Sequence, residues 1–186
     1  MVVPDLGLDK LFLYSLSDTL KPGDPPSVSL QPGSGPRHFV FHPEGRYGYA
    51  ICELASTVAT FRCNGTSLEA VATLSALPAQ HWGENIAAGI AIDPAGQFLY
   101  CSNRGADTIA VFAIGANGSL ETVQHVWSEG AAPRHITMAR SGEWLLAANQ
   151  YADTVAVFRR NAETGRLTAS PPELGVPRPA CIVFCG

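Results

Sequence analysis

The sequence has little charge and no run of basic residues. Charged residues make up 15% of the 186 positions, and 16 acidic residues against 12 Lys and Arg give a formal net charge of -4. Nucleic-acid-binding proteins normally carry a basic stripe or a basic balance, whereas the densest basic cluster here is the pair Arg159 and Arg160. The composition therefore argues against a nucleic-acid partner. A small anionic substrate stays open, because a few local arginines can bind an anion in a mildly acidic protein.

The sequence also lacks a secretory leader and a membrane-spanning run. Residues 1–5 contain no basic segment followed by a long apolar stretch, and no run reaches the length that a bilayer requires. The cysteines are odd in number and none has CxxC spacing, which argues against a disulfide framework or a zinc site; they are Cys52, Cys63, Cys101, Cys181 and Cys185. We therefore expect a cytoplasmic protein with no membrane partner, whose cysteines are small buried apolar side chains.

Several motifs of catalysis and cofactor binding are missing. The sequence has no Gly-x-Ser-x-Gly elbow, no dinucleotide fingerprint and no P-loop. His38 and His42 have a spacing that suits a metal on a helix, but in a strand the same spacing separates them by about 13 Å. We therefore expect neither a cofactor nor a bound metal, and no segment shows sustained helical periodicity.

What the chain does contain is a repeat. Three stretches at 35–61, 88–112 and 133–158 share one pattern of apolar strand, glycine turn, second strand, polar turn and third strand. The turn glycines Gly45, Gly96 and Gly142 lie 51 and 46 positions apart, which is the period of propeller blades. Later hairpin turns at Gly65, Gly118 and Gly165 predict outer strands at 67–73, 119–127 and 166–168. Partial units occupy 5–14 and 176–184.

The repeat predicts an all-β fold, a β-propeller with about three full four-stranded blades and a partial blade at each end. We expect residues 1–186 to form one partial propeller domain. The first unit lacks its first strand, and the last unit stops after one strand. Each blade face is apolar and needs a neighbour. Three explanations stay open: the chain is a truncated product or fragment, it associates with a second copy, or it pairs with a missing propeller half.

Alignment of the repeats brings several polar residues into equivalent positions. One set ends the second strand of its blade, eight residues after the turn glycine: Glu53, Arg104 and Gln150. A second set opens the innermost strand: Arg37 with His38, and Arg134 with His135. Innermost strands line the central channel of a propeller, so these side chains are expected to converge on one mouth.

The sequence resembles the lactonase family of seven-bladed propellers, the 6-phosphogluconolactonase and carboxy-cis,cis-muconate lactonizing enzyme type. The resemblance covers nearly the whole chain outside 15–34 and 73–85. The matching stretches are VPDLGLD (3–9), GPRH (35–38), ELASTV (53–58), FLYCSNRG (98–105), PRH (133–135), ANQ (148–150) and VPRP (176–179). It implies hydrolysis of a small anionic sugar lactone, 6-phosphoglucono-1,5-lactone to 6-phosphogluconate in the pentose phosphate pathway.

The sequence also departs from the pattern of the family that it resembles. The family's N-terminal half, with a proposed catalytic histidine, is expected to be absent. Cys52 stands where members commonly have asparagine, and Gly89 stands where they commonly have an acidic residue. Two alternatives therefore stay open, a non-catalytic propeller fragment or interaction module and a lactonizing enzyme or cycloisomerase acting on a carboxylated ring.

Lactone hydrolysis needs an activated water, a stabilised oxyanion and a hold on the anionic group. Arginine supplies a permanent charge and a fork of donors, glutamate can orient an arginine or activate water, and histidine can transfer a proton. The expected catalytic residues are Glu53, Arg37, Arg104 and His135. The expected substrate-binding residues are Arg134, His38 and Gln150.

Each assignment has a structural alternative. Arg37 and Arg134 recur with the repeat, so both can be packing residues that bond backbone carbonyls. The asparagines of the repeat, Asn103 and Asn149, are expected to cap turns. The aspartates Asp107 and Asp153 are expected to make structural blade bonds.

Overall fold

The structure, a computed structural model, describes residues 1–185. This part of the chain forms fifteen β-strands and no helix. The N-terminal sheet contains β1 (Val2–Asp5), β2 (Lys10–Leu16) and β3 (Leu20–Ser29). The first blade contains β4 (Pro36–Phe41), β5 (Tyr47–Cys52), β6 (Thr57–Asn64) and β7 (Ser67–Ser75). The second contains β8 (Ile86–Ile92), β9 (Phe98–Arg104), β10 (Thr108–Ile114) and β11 (Leu120–Trp127). The third contains β12 (Pro133–Met138), β13 (Trp144–Asn149), β14 (Thr154–Arg160) and β15 (Leu167–Gly175).

Each blade is an antiparallel meander whose strands pair in sequence order. Strand β8 packs beside both β4 and β12, so the first strand of each blade is the innermost one. Tight hairpins join the third and fourth strands, and the glycines Gly65, Gly118 and Gly165 take positive φ values of 61°, 77° and 69° there. The predicted β-propeller with three full four-stranded blades is confirmed.

The hydrophobic cores lie between neighbouring sheets, because alternate residues of a strand face opposite sides. On β5, Tyr49 and Ile51 pack towards the second blade against Leu99 and Phe112. The intervening Ala50 and Cys52 face the N-terminal sheet, in a smaller cluster that includes Leu11 and Phe61. A third cluster joins the second and third blades. Every full blade is therefore stabilised mainly by burial against its neighbours.

Polar contacts between blades follow the same repeat. Tyr49 donates its hydroxyl hydrogen bond to the Gly118 carbonyl at 3.2 Å, and Tyr100 does the same to the Gly165 carbonyl at 3.0 Å. Each bond runs from the second strand of one blade to the outer hairpin of the next. These repeated bonds fix the angle between successive blades.

Buried asparagines make a second set of contacts between blades. The amide groups of Asn103 and Asn149 donate to the carbonyls of Ala76 and Ser128, both at 2.8 Å. Those carbonyls lie just beyond the outer strand of the preceding blade. The expectation that these asparagines cap turns was therefore wrong in its main point, since the principal bond crosses to the neighbouring sheet.

The chain ends differ from the repeat in two ways. The N-terminal sheet pairs only β1, β2 and β3, and lacks an innermost strand as predicted. The strand expected within 176–184 does not form, since residues 176–185 contain no strand. A strand needs a hydrogen-bonding neighbour, and no second strand of that sheet exists in the described chain.

Two of the three outer strands were predicted too short, and the third was predicted to within one residue. The segment expected at 67–73 spans Ser67–Ser75, and the one expected at 119–127 spans Leu120–Trp127. The segment expected at 166–168 continues as Leu167–Gly175, past a proline at 171. That proline is tolerated because β15 is an edge strand, where a missing N–H breaks no ladder on the outer side.

Residues 1–185 include no helix long and apolar enough to cross a membrane.

Candidate active site

A β-bulge interrupts each innermost strand at the same point. In β4 and β12 the extra residues are Arg37 and Arg134. In β8 the register shifts between Ala87 and Ile90, where Ala88 holds the position equivalent to Arg37. A bulge leaves one residue out of the ladder and re-aims its side chain. Both arginines are thereby released from the alternation that directs their neighbours into the cores between blades.

Glu53 joins two of the expected catalytic arginines. Its Oε2 lies 2.9 Å from Nε of Arg37 and 3.0 Å from Nη2 of Arg104. The side chains are only 17%, 17% and 11% exposed for Glu53, Arg37 and Arg104. The structure therefore brings these three residues into one cluster, with a single carboxylate oxygen facing two guanidinium groups from different blades.

The backbone of β8 supports the same arginines. Nη1 of Arg37 donates to the Ala88 carbonyl at 2.9 Å, and Nη2 of Arg104 approaches the Ala87 carbonyl at 3.3 Å. The N–H of Ala87 in turn donates to the Glu53 carbonyl at 3.0 Å. The packing role considered for Arg37 therefore holds in part. Its guanidinium bonds the Ala88 carbonyl, as a packing residue would, and it also pairs with the Glu53 carboxylate.

Burial is the largest cause that lowers the pKa of Arg37. Glu53 opposes this change, and the charges of Arg104 and Arg134 add to it. Since arginine remains protonated even in such surroundings, the guanidinium keeps its charge. The influence of Arg104 and Arg134 on this group shows that three positive side chains share one region.

His38 packs directly against the Arg37 guanidinium. Nη1 of Arg37 lies 3.2 Å from Nδ1 and 3.1 Å from Nε2 of the imidazole. Burial, followed by the charges of Arg37 and His135, lowers the pKa of His38 from 6.5 to about 4, while Glu53 acts in the opposite direction. The imidazole is therefore neutral near pH 7 and can only accept a hydrogen bond from the guanidinium.

His135 has a different hydrogen-bonding state. The backbone N–H of Ile182 donates to its Nδ1 at 3.2 Å, and burial, followed by the charge of Arg37, lowers its pKa. A neutral ring that accepts at Nδ1 carries its proton on Nε2, 4.0 Å from Sγ of Cys181. His135 is thus arranged as a hydrogen-bond donor, whereas His38 is available as an acceptor.

Arg134 and Gln150 form the remaining pair of the expected set. Nη1 of Arg134 lies 3.4 Å from Oε1 of Gln150. Within residues 1–185 Arg134 forms no ion pair. With both histidines neutral, the three arginines and the single carboxylate of Glu53 leave the region with two uncompensated positive charges.

A cavity of about 570 Å³ opens between the second and third blades beside this cluster. Arg104 is the one member of the expected set that lines it. Its other walls include Glu84 and Asn85 before β8, Ile86 at the start of β8 and Tyr151 after β13. Arg104 therefore borders the cavity on one side and the Glu53 carboxylate on the other.

Two aspartates in the turns of the repeat accept hydrogen bonds from neighbouring loops. Oδ1 of Asp107 accepts from the Ala132 N–H at 2.9 Å, and Oδ1 of Asp153 accepts from the Arg178 N–H at 2.8 Å. Each aspartate has a positive φ and follows the second strand of its blade. The Asp107 bond runs to the segment that opens β12, and its Oδ1 also accepts from the Gly105 N–H of its own turn at 3.2 Å. The Asp153 bond runs to the segment after β15. Both aspartates therefore make the expected structural bonds.

Asn85 is a site residue that the sequence reasoning missed. The first blade has Ser56 where the others have aspartate, and Nδ2 of Asn85 donates to Ser56 Oγ at 2.8 Å. Oδ1 of Asn85 accepts from the Ala106 N–H at 3.0 Å, two residues after Arg104. The serine in place of an aspartate was the signal in the repeat that could have revealed this altered junction.

Comparison with known proteins agrees with the architecture and the repeat. Residues 1–184 match the family described as lactonase, 7-bladed beta-propeller. A 6-phosphogluconolactonase of Bacillus subtilis is 37% identical over 187 residues, covering 99% of this chain and 53% of the relative. A 6-phosphogluconolactonase of Formosa agariphila is 37% identical over 153 residues, covering 81% of this chain and 43% of the relative.

The solved structure of the periplasmic gluconolactonase of Pseudomonas aeruginosa superposes with a TM-score of 0.93 at 33% identity. That match covers 100% of this chain and 53% of the neighbour. The chain thus spans about half the length of the relatives it matches. With three complete blades of the expected form and a family match over nearly its full length, the chain belongs to the seven-bladed β-propeller lactonase family.

Proposed function

We propose that the Arg37–Glu53–Arg104 cluster, with Arg134 beside it, binds a small anionic sugar lactone and hydrolyses its ring ester. The observation that carries the proposal is the uncompensated positive charge of a mostly buried site. Two arginines share one carboxylate there, the charge of a third, Arg134, acts on Arg37, and both neighbouring histidines are held in the neutral form. Buried charge without a partner is unfavourable, so the site is complementary to a phosphate or carboxylate group.

The geometry supports a division of labour. Water attacks the lactone carbonyl carbon, the bond from that carbon to the ring oxygen breaks, and one proton moves from the water to the departing ring oxygen. Glu53 is the candidate general base that accepts and returns this proton, because the single acceptor nitrogen of neutral His38 faces the Arg37 guanidinium. Arg104, which borders the cavity, stabilises the oxyanion, and Arg37 binds the anionic group of the substrate together with Arg134. Glu53 holds the guanidinium groups of Arg37 and Arg104 in place. His135 donates a hydrogen bond from Nε2, and Arg134 with Gln150 binds the substrate.

The names of the relatives support the substrate. The proteins from Bacillus subtilis and Formosa agariphila are named 6-phosphogluconolactonase, so the proposed reaction is 6-phosphoglucono-1,5-lactone to 6-phosphogluconate, in the pentose phosphate pathway. The five cysteines are all free, which suits a reducing compartment, and we place the reaction in the cytoplasm. Since guanidinium forks bind carboxylates as well as phosphates, a carboxylated ring is the second candidate substrate.

We also infer that other blades complete the ring, supplied by a second copy or by the missing half. Strand β1 pairs with β2 on one side only, and the N-terminal sheet has no innermost strand. An unpaired strand edge is a ready site for the addition of a further strand.

The test is a lactonase assay of the 186-residue chain, with uncatalysed hydrolysis subtracted. Substrates are 6-phosphoglucono-1,5-lactone and glucono-1,5-lactone. We expect Arg37→Ala and Arg104→Ala each to lower kcat/KM for the phosphorylated lactone about 100-fold. Arg62→Ala is the matched control, because Arg62 is 49% exposed and pairs with Glu69 on an outer strand. Equal turnover in the wild type and both site variants contradicts the proposal, and so does the absence of any wild-type turnover.

A further inference from the structure

We propose that the cavity between the second and third blades is a second subsite, which holds the neutral hydroxylated ring of the substrate against Tyr151. The inference rests on the proposed function, since it takes the arginine cluster as the site of the anionic group. It adds the residues that recognise the rest of the molecule.

The arginine cluster and the cavity have one wall in common, which is Arg104. Arg104 reaches Glu53 with Nη2 at 3.0 Å and also lines the cavity. A ligand anchored by its anionic group at the arginines therefore has this space directly beside it. The volume of about 570 Å³ lies within the range of small-molecule sites.

Tyr151 presents an exposed aromatic ring to the cavity. This side chain is 70% exposed and lines the cavity. The guanidinium of Arg178 lies over the tyrosine ring, 5.6 Å from its centroid, which is a favourable cation–π distance. The backbone N–H of Arg178 is itself fixed by Asp153. The ring is thus a preorganised aromatic surface, with an apolar body for C–H groups and a hydroxyl for polar ones.

Two carboxylates, those of Glu84 and Asp107, line the cavity. Carboxylates disfavour a second anion but accept hydrogen bonds from hydroxyl groups. Asp107 is partly occupied, because its Oδ1 accepts from Ala132, whereas Glu84 is exposed at the mouth. The cavity is therefore matched to a neutral polyhydroxylated ring, and the phosphoryl group belongs at the arginines.

The test compares two ligands by isothermal titration calorimetry with the full chain. Inorganic phosphate probes the arginine cluster alone. Glucose 6-phosphate, which joins a phosphoryl group to a neutral hydroxylated ring that cannot be hydrolysed as a lactone, probes both subsites. We expect glucose 6-phosphate to bind more tightly than phosphate. Tyr151→Ala is expected to weaken glucose 6-phosphate about tenfold, with no change for phosphate, while Tyr151→Phe keeps nearly the wild-type affinity. Trp127→Ala is the control, since Trp127 is a 57% exposed aromatic residue on the outer strand β11.

Two results overturn the inference, and they are distinguishable. If phosphate binds but Tyr151→Ala leaves the affinity for glucose 6-phosphate unchanged, the ring subsite is wrong and the proposed function stands. If neither ligand binds the folded wild type, the proposed function fails and the inference fails with it. An unchanged circular dichroism spectrum and melting temperature of Tyr151→Ala confirm that a loss of affinity is local.

Discussion

Asn103 and Asn149 make the same hydrogen bond one blade apart. Each donates its side-chain amide at 2.8 Å to the carbonyl that follows the outer strand of the preceding blade. In the first blade the equivalent position is Cys52, 1% exposed, and the equivalent carbonyl is that of Leu30. A cavity of about 280 Å³ is lined by both residues. The thiol thus leaves unfilled the space and the bond that an asparagine would supply.

We therefore expect Cys52→Asn to stabilise the chain. An amide that reaches the Leu30 carbonyl gains a buried hydrogen bond worth about 1 kcal/mol, and Thr57 lies at the position from which Thr108 contacts Asn103. The measurement is urea unfolding, with Cys52→Ala as a control that alters packing without adding a donor. A free energy of unfolding for Cys52→Asn at or below that of the wild type contradicts this prediction.

Removal of the charge of Glu53 is expected to destabilise the fold. Glu53→Gln keeps the shape of the side chain but leaves two poorly exposed guanidinium groups facing each other, and we expect a loss of about 2 kcal/mol. The matched variant is Glu69→Gln, because Glu69 pairs with Arg62 at 2.9 Å while 58% exposed. An exposed pair contributes little, so its loss is expected to stay below about 0.5 kcal/mol.

The comparison is made by chemical unfolding of both variants at pH 7, at low and at high salt. Similar losses for Glu53→Gln and Glu69→Gln would show that the central cluster is as well solvated as the surface pair, against the burial seen here.

The state of His38 predicts a dependence of stability on pH. Burial and Arg37 lower its pKa from 6.5 to about 4 in the folded chain, whereas the unfolded chain titrates near the unperturbed value. Between these values the unfolded state binds more protons, so stability is complete above about pH 6.5 and declines as the pH falls towards 4. The lowered pKa of His135 acts in the same direction.

Thermal unfolding from pH 4 to 8 measures this dependence. The variant His38→Gln cannot take up the proton, and we expect its melting temperature to fall less steeply below pH 6.5. Parallel curves for the wild type and His38→Gln would mean that His38 is solvated in the folded state.

The tyrosine bonds between blades give a further prediction. Tyr100→Phe removes the 3.0 Å bond to the Gly165 carbonyl and leaves that buried contact unmade, so we expect a loss of about 1 kcal/mol. Tyr14→Phe is the control, since no bond from the Tyr14 hydroxyl is seen in residues 1–185. Differential scanning calorimetry of both variants is the measurement, and equal melting temperatures would argue that the Tyr100 hydroxyl is dispensable.

The repeat made most of the fold predictable, because its turn glycines mark strand boundaries directly. Gly45, Gly96 and Gly142 each have a positive φ, and each closes a tight turn at the expected place by donating its N–H to the carbonyl three residues earlier. The alternation of core residues such as Tyr49 and Ala50 also follows from the period of a strand. Local patterns therefore sufficed wherever a strand has both of its neighbours.

The remaining features depend on contacts between blades, which a pattern within one blade does not encode. The sequence reasoning assigned Asn103 to a turn because its partner, Ala76, belongs to the preceding blade. The strand expected near Ile182 is absent because no neighbouring strand pairs with it. The meeting of Glu53 with Arg37 was anticipated only as convergence on a mouth, since a strict period of two does not reveal the bulge that aims Arg37.

At each bulge, the side chain can change without breaking the hydrogen bonds that pair the two strands. Positions 37, 88 and 134 hold Arg, Ala and Arg in otherwise matching surroundings. A residue outside the register can be exchanged while every paired neighbour keeps its partner. The side chain at such a position can therefore change without loss of strand pairing, as Ala88 shows between Arg37 and Arg134.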